Sequence, residues 1–179
     1  QRALRRILQG FAENPQIRVG EIDLLSATER RKVLEAWNAT VPAVPPAVLP
    51  ALFEAQAART PSAIALVFDG RRLSYAELNA RANRLARYLF VHGIGPEDRV
   101  ALCLPRSIEM VVATLAIAKA GAAYVPLDPD YPAARLDYML KDSTPKLVIT
   151  TAALAKGGML GEEVTRLELD SAQVVSALV

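Results

Sequence analysis

From Arg99 to Leu178 the chain alternates short apolar strands with helices, and this alternation constrains the fold more than any other feature. Val100 to Leu104 is a nearly all-apolar strand, as expected of a parallel sheet covered on both faces. Ser107 is placed to cap a helix over Ile108 to Ala120 that has little polar surface and should therefore be buried on most sides. Ala122 to Val125, Lys146 to Thr150 and Val164 to Leu169 read as further strands. Ala133 to Leu140 and Ser171 to Leu178 read as the helices among them. Strand-helix alternation at this spacing predicts right-handed crossovers and an open, largely parallel α/β sheet flanked by helices. One stretch, Lys119 to Pro132, leaves little freedom. A helix stops at Gly121, a strand starts at once, and three prolines then interrupt it within seven residues.

The residues before Arg99 are organised differently. Residues 1–13 put Leu4, Ile7, Leu8 and Phe11 at helical spacing, and Asn14-Pro15 ends that pattern. Ser26 and Glu29 form a capping box that opens a helix expected to bury Val33, Leu34 and Trp37 and to end near Asn38. From Val41 to Pro50 the chain holds four of its 12 prolines and no charge, which reads as an extended linker and a domain boundary. Beyond it, Leu52, Phe53, Gln56 and Ala57 suit a short helix closed by Thr60-Pro61. Asp69-Gly70 predicts a hairpin turn between Ala63–Phe68 and Arg71–Leu73. Ser74 and Glu77 form a second capping box, opening a helix with Leu78, Ala82, Leu85 and Leu89 on one stripe and Gly93 at its C-terminal end.

Composition narrows the function classes. Apolar residues make up 52% and charged residues 22% of the 179, the balance of a globular chain. A net charge of +2 gives no ground for a nucleic-acid or membrane partner. No stretch reaches the roughly 20 apolar residues of a membrane span. The single cysteine, Cys103, rules out an internal disulfide; it lies in an apolar run and reads as a buried thiol in a reducing cytoplasm. No signal peptide is expected, and a first residue other than methionine suggests a piece of something longer.

A search for chemistry along the chain finds little. No glycine-rich dinucleotide fingerprint and no phosphate-loop lysine motif occurs. Lys156 to Gly161 is the nearest glycine cluster, and it reads as a flexible surface loop. His92, the only histidine, sits at a helix end where a cation is favoured. One cysteine and one histidine far apart do not make a metal site. Asp128 and Asp130 read as turn residues rather than an acid-base pair. Arg81, Arg84 and Arg87 read as a solvated, ion-paired face, with no interleaved aromatics for stacking bases. No residue is assigned a catalytic, cofactor-binding or metal-binding role.

Two stretches nonetheless resemble a known family. Lys119-Ala120-Gly121-Ala122-Ala123-Tyr124-Val125-Pro126-Leu127-Asp128-Pro129-Asp130-Tyr131-Pro132 closely resembles the second core motif of adenylation domains in nonribosomal peptide synthetases. Leu73 to Ala86 is similar to the first core motif, and Leu52 to Gln56 with Arg59-Thr60-Pro61 to the usual entry into such domains. Asn14-Pro15, Leu24-Leu25-Ser26, Glu29-Arg30 and Trp37 to Thr40 resemble the tail of a condensation domain and its linker. The resemblance implies three parts: a condensation-domain tail and start of linker over 1–40, a proline-rich linker over 41–50, and the N-terminal portion of an adenylation domain over 51–179.

For the intact enzyme, the resemblance implies activation of an amino acid with ATP and Mg2+ as an aminoacyl-adenylate, then transfer to the phosphopantetheine of a carrier domain. The setting implied is cytoplasmic biosynthesis of secondary metabolites such as antibiotics. A condensation domain upstream, and the remainder of the adenylation domain or a carrier domain downstream, are the implied partners. The two motifs present are structural in that family, and its phosphate loop, amino-acid pocket and catalytic lysine are expected beyond residue 179. Lys119 and Lys141 match none of those roles, so the chain is expected to be inactive alone. Two other readings stay open: a naturally truncated adenylation domain serving as a scaffold between condensation and carrier domains, and a fragment of an acyl-CoA or aryl acid ligase.

Overall fold

The two capping boxes form as the sequence predicts, and they anchor the two halves of the chain separately. A computed structural model describes residues 2–44, 46–158 and 164–178, and it divides the chain into two units, 1–46 and 47–179. In the first unit, α1 spans Arg2–Glu13 and α2 spans Ala27–Leu34, followed by a short 3-10 turn over Ala36–Asn38. Ser26 accepts a hydrogen bond from the Glu29 amide while the Glu29 carboxylate accepts from the Ser26 amide. Ile22 is buried and would touch any side chain added at Gly10. Asp23 joins the pieces, accepting from Arg30 at 3.0 Å through its carboxylate and from Arg6 Nε at 2.8 Å through its carbonyl.

One expectation fails here. Val33, Leu34 and Trp37 are exposed, Leu34 by 58% and Trp37 by 63%. The helix ends at Leu34, after eight residues, and the unit is too small to present a second apolar layer against it.

In the second unit, α3 begins at Leu49 and runs to Arg59, with Pro50 in its first turn, where a missing N–H costs nothing. The proline segment therefore stops two residues earlier than composition suggests. β1 (Ile64–Phe68) and β2 (Arg71–Ser74) form the expected hairpin. Its turn puts φ at +47° for Asp69 and +73° for Gly70. The long helix α4, Tyr75–Val91, is capped by Ser74 and Glu77 and buries Leu78, Ala82, Leu85 and Leu89.

Four parallel strands follow: β3 (Arg99–Leu102), β4 (Ala123–Pro126), β5 (Leu147–Thr150) and β6 (Arg166–Glu168), in the order β4-β3-β5-β6. They alternate with α5 (Ile108–Lys119), α6 (Ala133–Ser143), α7 (Ala152–Lys156) and α8 (Ala172–Ala177). Successive residues of β3 face opposite sides of the sheet. Val100 and Leu102 pack with α4 and α5 residues such as Leu85 and Ile117, whereas Ala101 and Cys103 pack with Leu136 and Leu140 of α6. Both faces are therefore covered, which is why the strands read as unbroken apolar runs. Every residue from Ile108 to Ala120 is buried or half-buried. The short helix α7 was not expected; Thr151, which accepts from the Leu154 amide, is the N-cap that signals it.

Candidate functional site

An open parallel sheet places ligands beyond the carboxyl ends of its strands, at the point where successive connections leave in opposite directions. Here that point lies between β3 and β5, because the chain goes from β3 outward to β4 and then returns past β3 to β5 and β6. Two clefts open at this edge. One, about 450 Å³, lies between the loops after β3 and β4 and is lined by Leu104, Arg106, Met110, Pro126, Asp128 and Asp130. The other, also about 450 Å³, lies between the loops after β3, β5 and β6, with Ser107, Glu109, Thr151, Asp170 and Val175 on its walls.

Several polar groups around both clefts are engaged in holding the loops. Asp128 Oδ1 accepts from the Asp130 amide at 3.0 Å, and the Asp128 carbonyl accepts from the Tyr131 amide at 3.0 Å. This is an Asx-type turn, so the two aspartates shape the loop as expected. Asp170 Oδ1 accepts from the Ala152 amide at 2.8 Å, tying the β6–α8 loop to the start of α7. Ser107 accepts from the Met110 amide, and Glu109 receives Arg81 at 3.3 Å.

The other residues considered for chemistry fall elsewhere. His92 caps the end of α4, with Nδ1 2.8 Å from the Tyr88 carbonyl and its ring stacked on Tyr88. Cys103 is buried, and burial together with the nearby Asp128 charge pushes its thiol pKa up, away from the reactive thiolate. Lys141 pairs with Asp137 one helical turn back. Lys119 pairs with Glu54. Lys156 ends α7, and Met159 to Gly161 lie outside the described residues.

These residues do not fit a nucleotide with its metal. The first cleft sets two aspartates against Arg106, and the second sets Glu109 and Asp170 against Arg81, so neither offers the excess of donors or positive charge that a triphosphate needs. Among the described residues no three His, Cys, Asp or Glu side chains converge into a metal-binding group.

Similarity to known proteins decides the family. The family described as AMP-binding enzyme matches residues 53–178. The chain belongs to this AMP-binding enzyme family. Over 175 residues, 98% of its length, it is 46% identical to the dimodular nonribosomal peptide synthase of Bacillus subtilis (strain 168), of which it spans 7%. A solved four-domain nonribosomal peptide synthetase, holo-AB3403 bound to AMP and glycine, superposes with a TM-score of 0.83 at 32% identity, over 99% of this chain and 14% of that one. The N-terminal subdomain of Klebsiella oxytoca NpsA matches with a TM-score of 0.63 at 25% identity, over 73% of this chain and 32% of its own. The AMP-binding part of this chain is thus the N-terminal portion of a synthetase adenylation domain. Its parallel sheet is that portion's sheet, and the family that the Lys119–Pro132 stretch resembles is the one these similarities show.

One charged pair supports this sheet from its opposite, amino-terminal edge. Asp98, just before β3, accepts from Lys146 Nζ at 2.7 Å and from the Gly95 amide at 2.9 Å. The Lys146 hydrogen bond first, then the Gly95 amide, hold the Asp98 carboxyl below the usual aspartate range. A carboxyl depressed in the folded state adds stability above its unfolded pKa and loses it as pH falls through the folded pKa. Asp98→Asn is therefore expected to lower the melting temperature at neutral pH and to flatten its fall on acidification. Parallel melting-temperature curves for variant and parent from neutral to acid pH would contradict this.

Proposed function

We propose that these residues belong to a synthetase module that activates an amino acid with ATP and Mg2+ and passes it to the phosphopantetheine of a carrier domain. The observation that carries this reading is the 46% identity to a nonribosomal peptide synthase across both units, residues preceding the AMP-binding match included. On this reading residues 1–40 continue from a condensation domain, the linker runs from 41 to the start of α3 at Leu49, and the residues from α3 onward start the adenylation domain. The protein works in the cytoplasm. Among the described residues no helix is long and apolar enough to cross a membrane.

The contribution of this part is architectural. On this reading it supplies the parallel sheet and the loops at its carboxyl edge, and the groups that bind ATP, the metal and the amino acid are assigned to the rest of the adenylation domain. Bound ATP and Mg2+ would supply the leaving group and charge neutralisation for attack of a carboxylate on the α-phosphate.

The test is amino-acid-dependent exchange of pyrophosphate into ATP. Residues 1–179 alone are expected to give none above background with any amino acid. A longer protein that includes the rest of the domain is expected to exchange with at least one. Exchange by the 179 residues would overturn the architectural assignment. An intact protein that exchanges with none, and whose sequence passes from Val179 directly into a carrier domain, would instead establish the scaffold reading.

A further inference from the structure

We propose that Lys119, which opens the Lys119–Pro132 motif, is a buried charge latch holding α3 against the C-terminal end of α5. Helix α3 is the first element after the proline segment, so any displacement of the incoming chain reaches it before the rest of the second unit. Its other anchors are few: Ala57 is buried, and Phe53 packs on the core and meets Tyr75 with ring centroids 5.9 Å apart. Lys119 completes the attachment. Its ammonium pairs with Glu54 and lies 5.9 Å from the centroid of the Phe53 ring. The lysine side chain is only 5% exposed, whereas that of Glu54 is 52% exposed.

This difference in burial makes the latch one-sided. A lysine charge without its partner is costly where it is buried, but a glutamate left at a half-exposed site is solvated by water. Glu54 is thus what keeps the buried ammonium in place. When it is neutralised, Lys119 must turn toward water, and Phe53 and α3 stand in its way. Because β4 begins four residues after Lys119, the same latch sets α3 relative to the strand that leads into the Asp128 turn. Lys119 is here a positioning residue, with no part in chemistry.

The test is amide hydrogen exchange on the full chain. Glu54→Gln is expected to speed exchange across Leu49–Arg59 by roughly tenfold, with α4 and β3 unchanged, as for local rather than global opening. Lys119→Met, which keeps much of the stem and removes the charge, is expected to change that segment by less than about threefold. The double variant is expected to return toward the parent, since the stranded charge is gone. Unchanged exchange in Glu54→Gln overturns the proposal. So does a double variant at least as fast as Glu54→Gln, or a rise in α4 and β3 equal to that in α3.

Discussion

Gly121→Val is expected to destabilise the chain by about 3 kcal/mol, because the site combines a forbidden backbone conformation with a close neighbour. Gly121 has φ +80°, which a β-branched residue adopts only as an outlier. A Cβ there would also lie 3.3 Å from Pro96 Cγ and 3.4 Å from Pro96 Cα, and the latter is backbone that cannot swing aside. The turn is held further by the Gly121 carbonyl, which accepts from the Glu97 amide. Relief of strain would have to move the start of β4, whose Ala123 amide donates to Asp98 at 2.8 Å. Gly121→Ala should cost less, about 1–2 kcal/mol, because it lacks the branch. Thermal or urea unfolding checks both; a Gly121→Val midpoint equal to the parent's would contradict this account of the turn.

Ile117→Ala is expected to cost about 3 kcal/mol, lowering the melting temperature by roughly 6–12 °C. Ile117 is fully buried in the cluster that joins α4, α5 and the sheet, so truncation leaves a cavity with no adjacent chain free to collapse into it. Leu34→Ala is the informative contrast. A leucine that is 58% exposed should change stability by less than about 0.5 kcal/mol on truncation. The two variants measured side by side by urea unfolding separate core from surface. Equal losses would show that Leu34 is covered in solution.

The elements most legible from sequence are those whose cause is local. Both capping boxes, the Asp69-Gly70 turn and the Ser107 cap need only neighbours within three or four residues, so the residues that specify them are adjacent in the chain. The apolar stripe of α4 and the unbroken apolar runs of β3 and β5 were equally plain, because burial on one face or two leaves its own period. The exposed end of α2 and the turn after it misled for the same reason: Val33, Leu34 and Trp37 have a core-facing pattern, but pattern states only that a face is apolar. Whether another element covers it depends on chain far away in sequence.

The candidate site illustrates the limit more sharply. The motif from Lys119 to Pro132 identified the family, yet the clefts at the carboxyl edge were not foreseen. One is lined by loops after two strands and the other by loops after three, and only the strand order brings those loops together. The pairing of Lys119 with Glu54 was likewise invisible, since the partners are 65 residues apart and neither occupies a local motif for the other.

The sequence by itself thus determined the parallel α/β class, the helix starts capped by Ser26, Ser74 and Ser107, the hard stop at Gly121 and the family. Tertiary structure alone decided the order β4-β3-β5-β6, the assignment of α5 and α6 to opposite faces, and the burial of Lys119 in the motif. The physical reason is range. Caps, turns and periodicity are set by residues a few positions apart, whereas strand order, cleft walls and buried ion pairs depend on packing between segments that the chain separates by tens of residues.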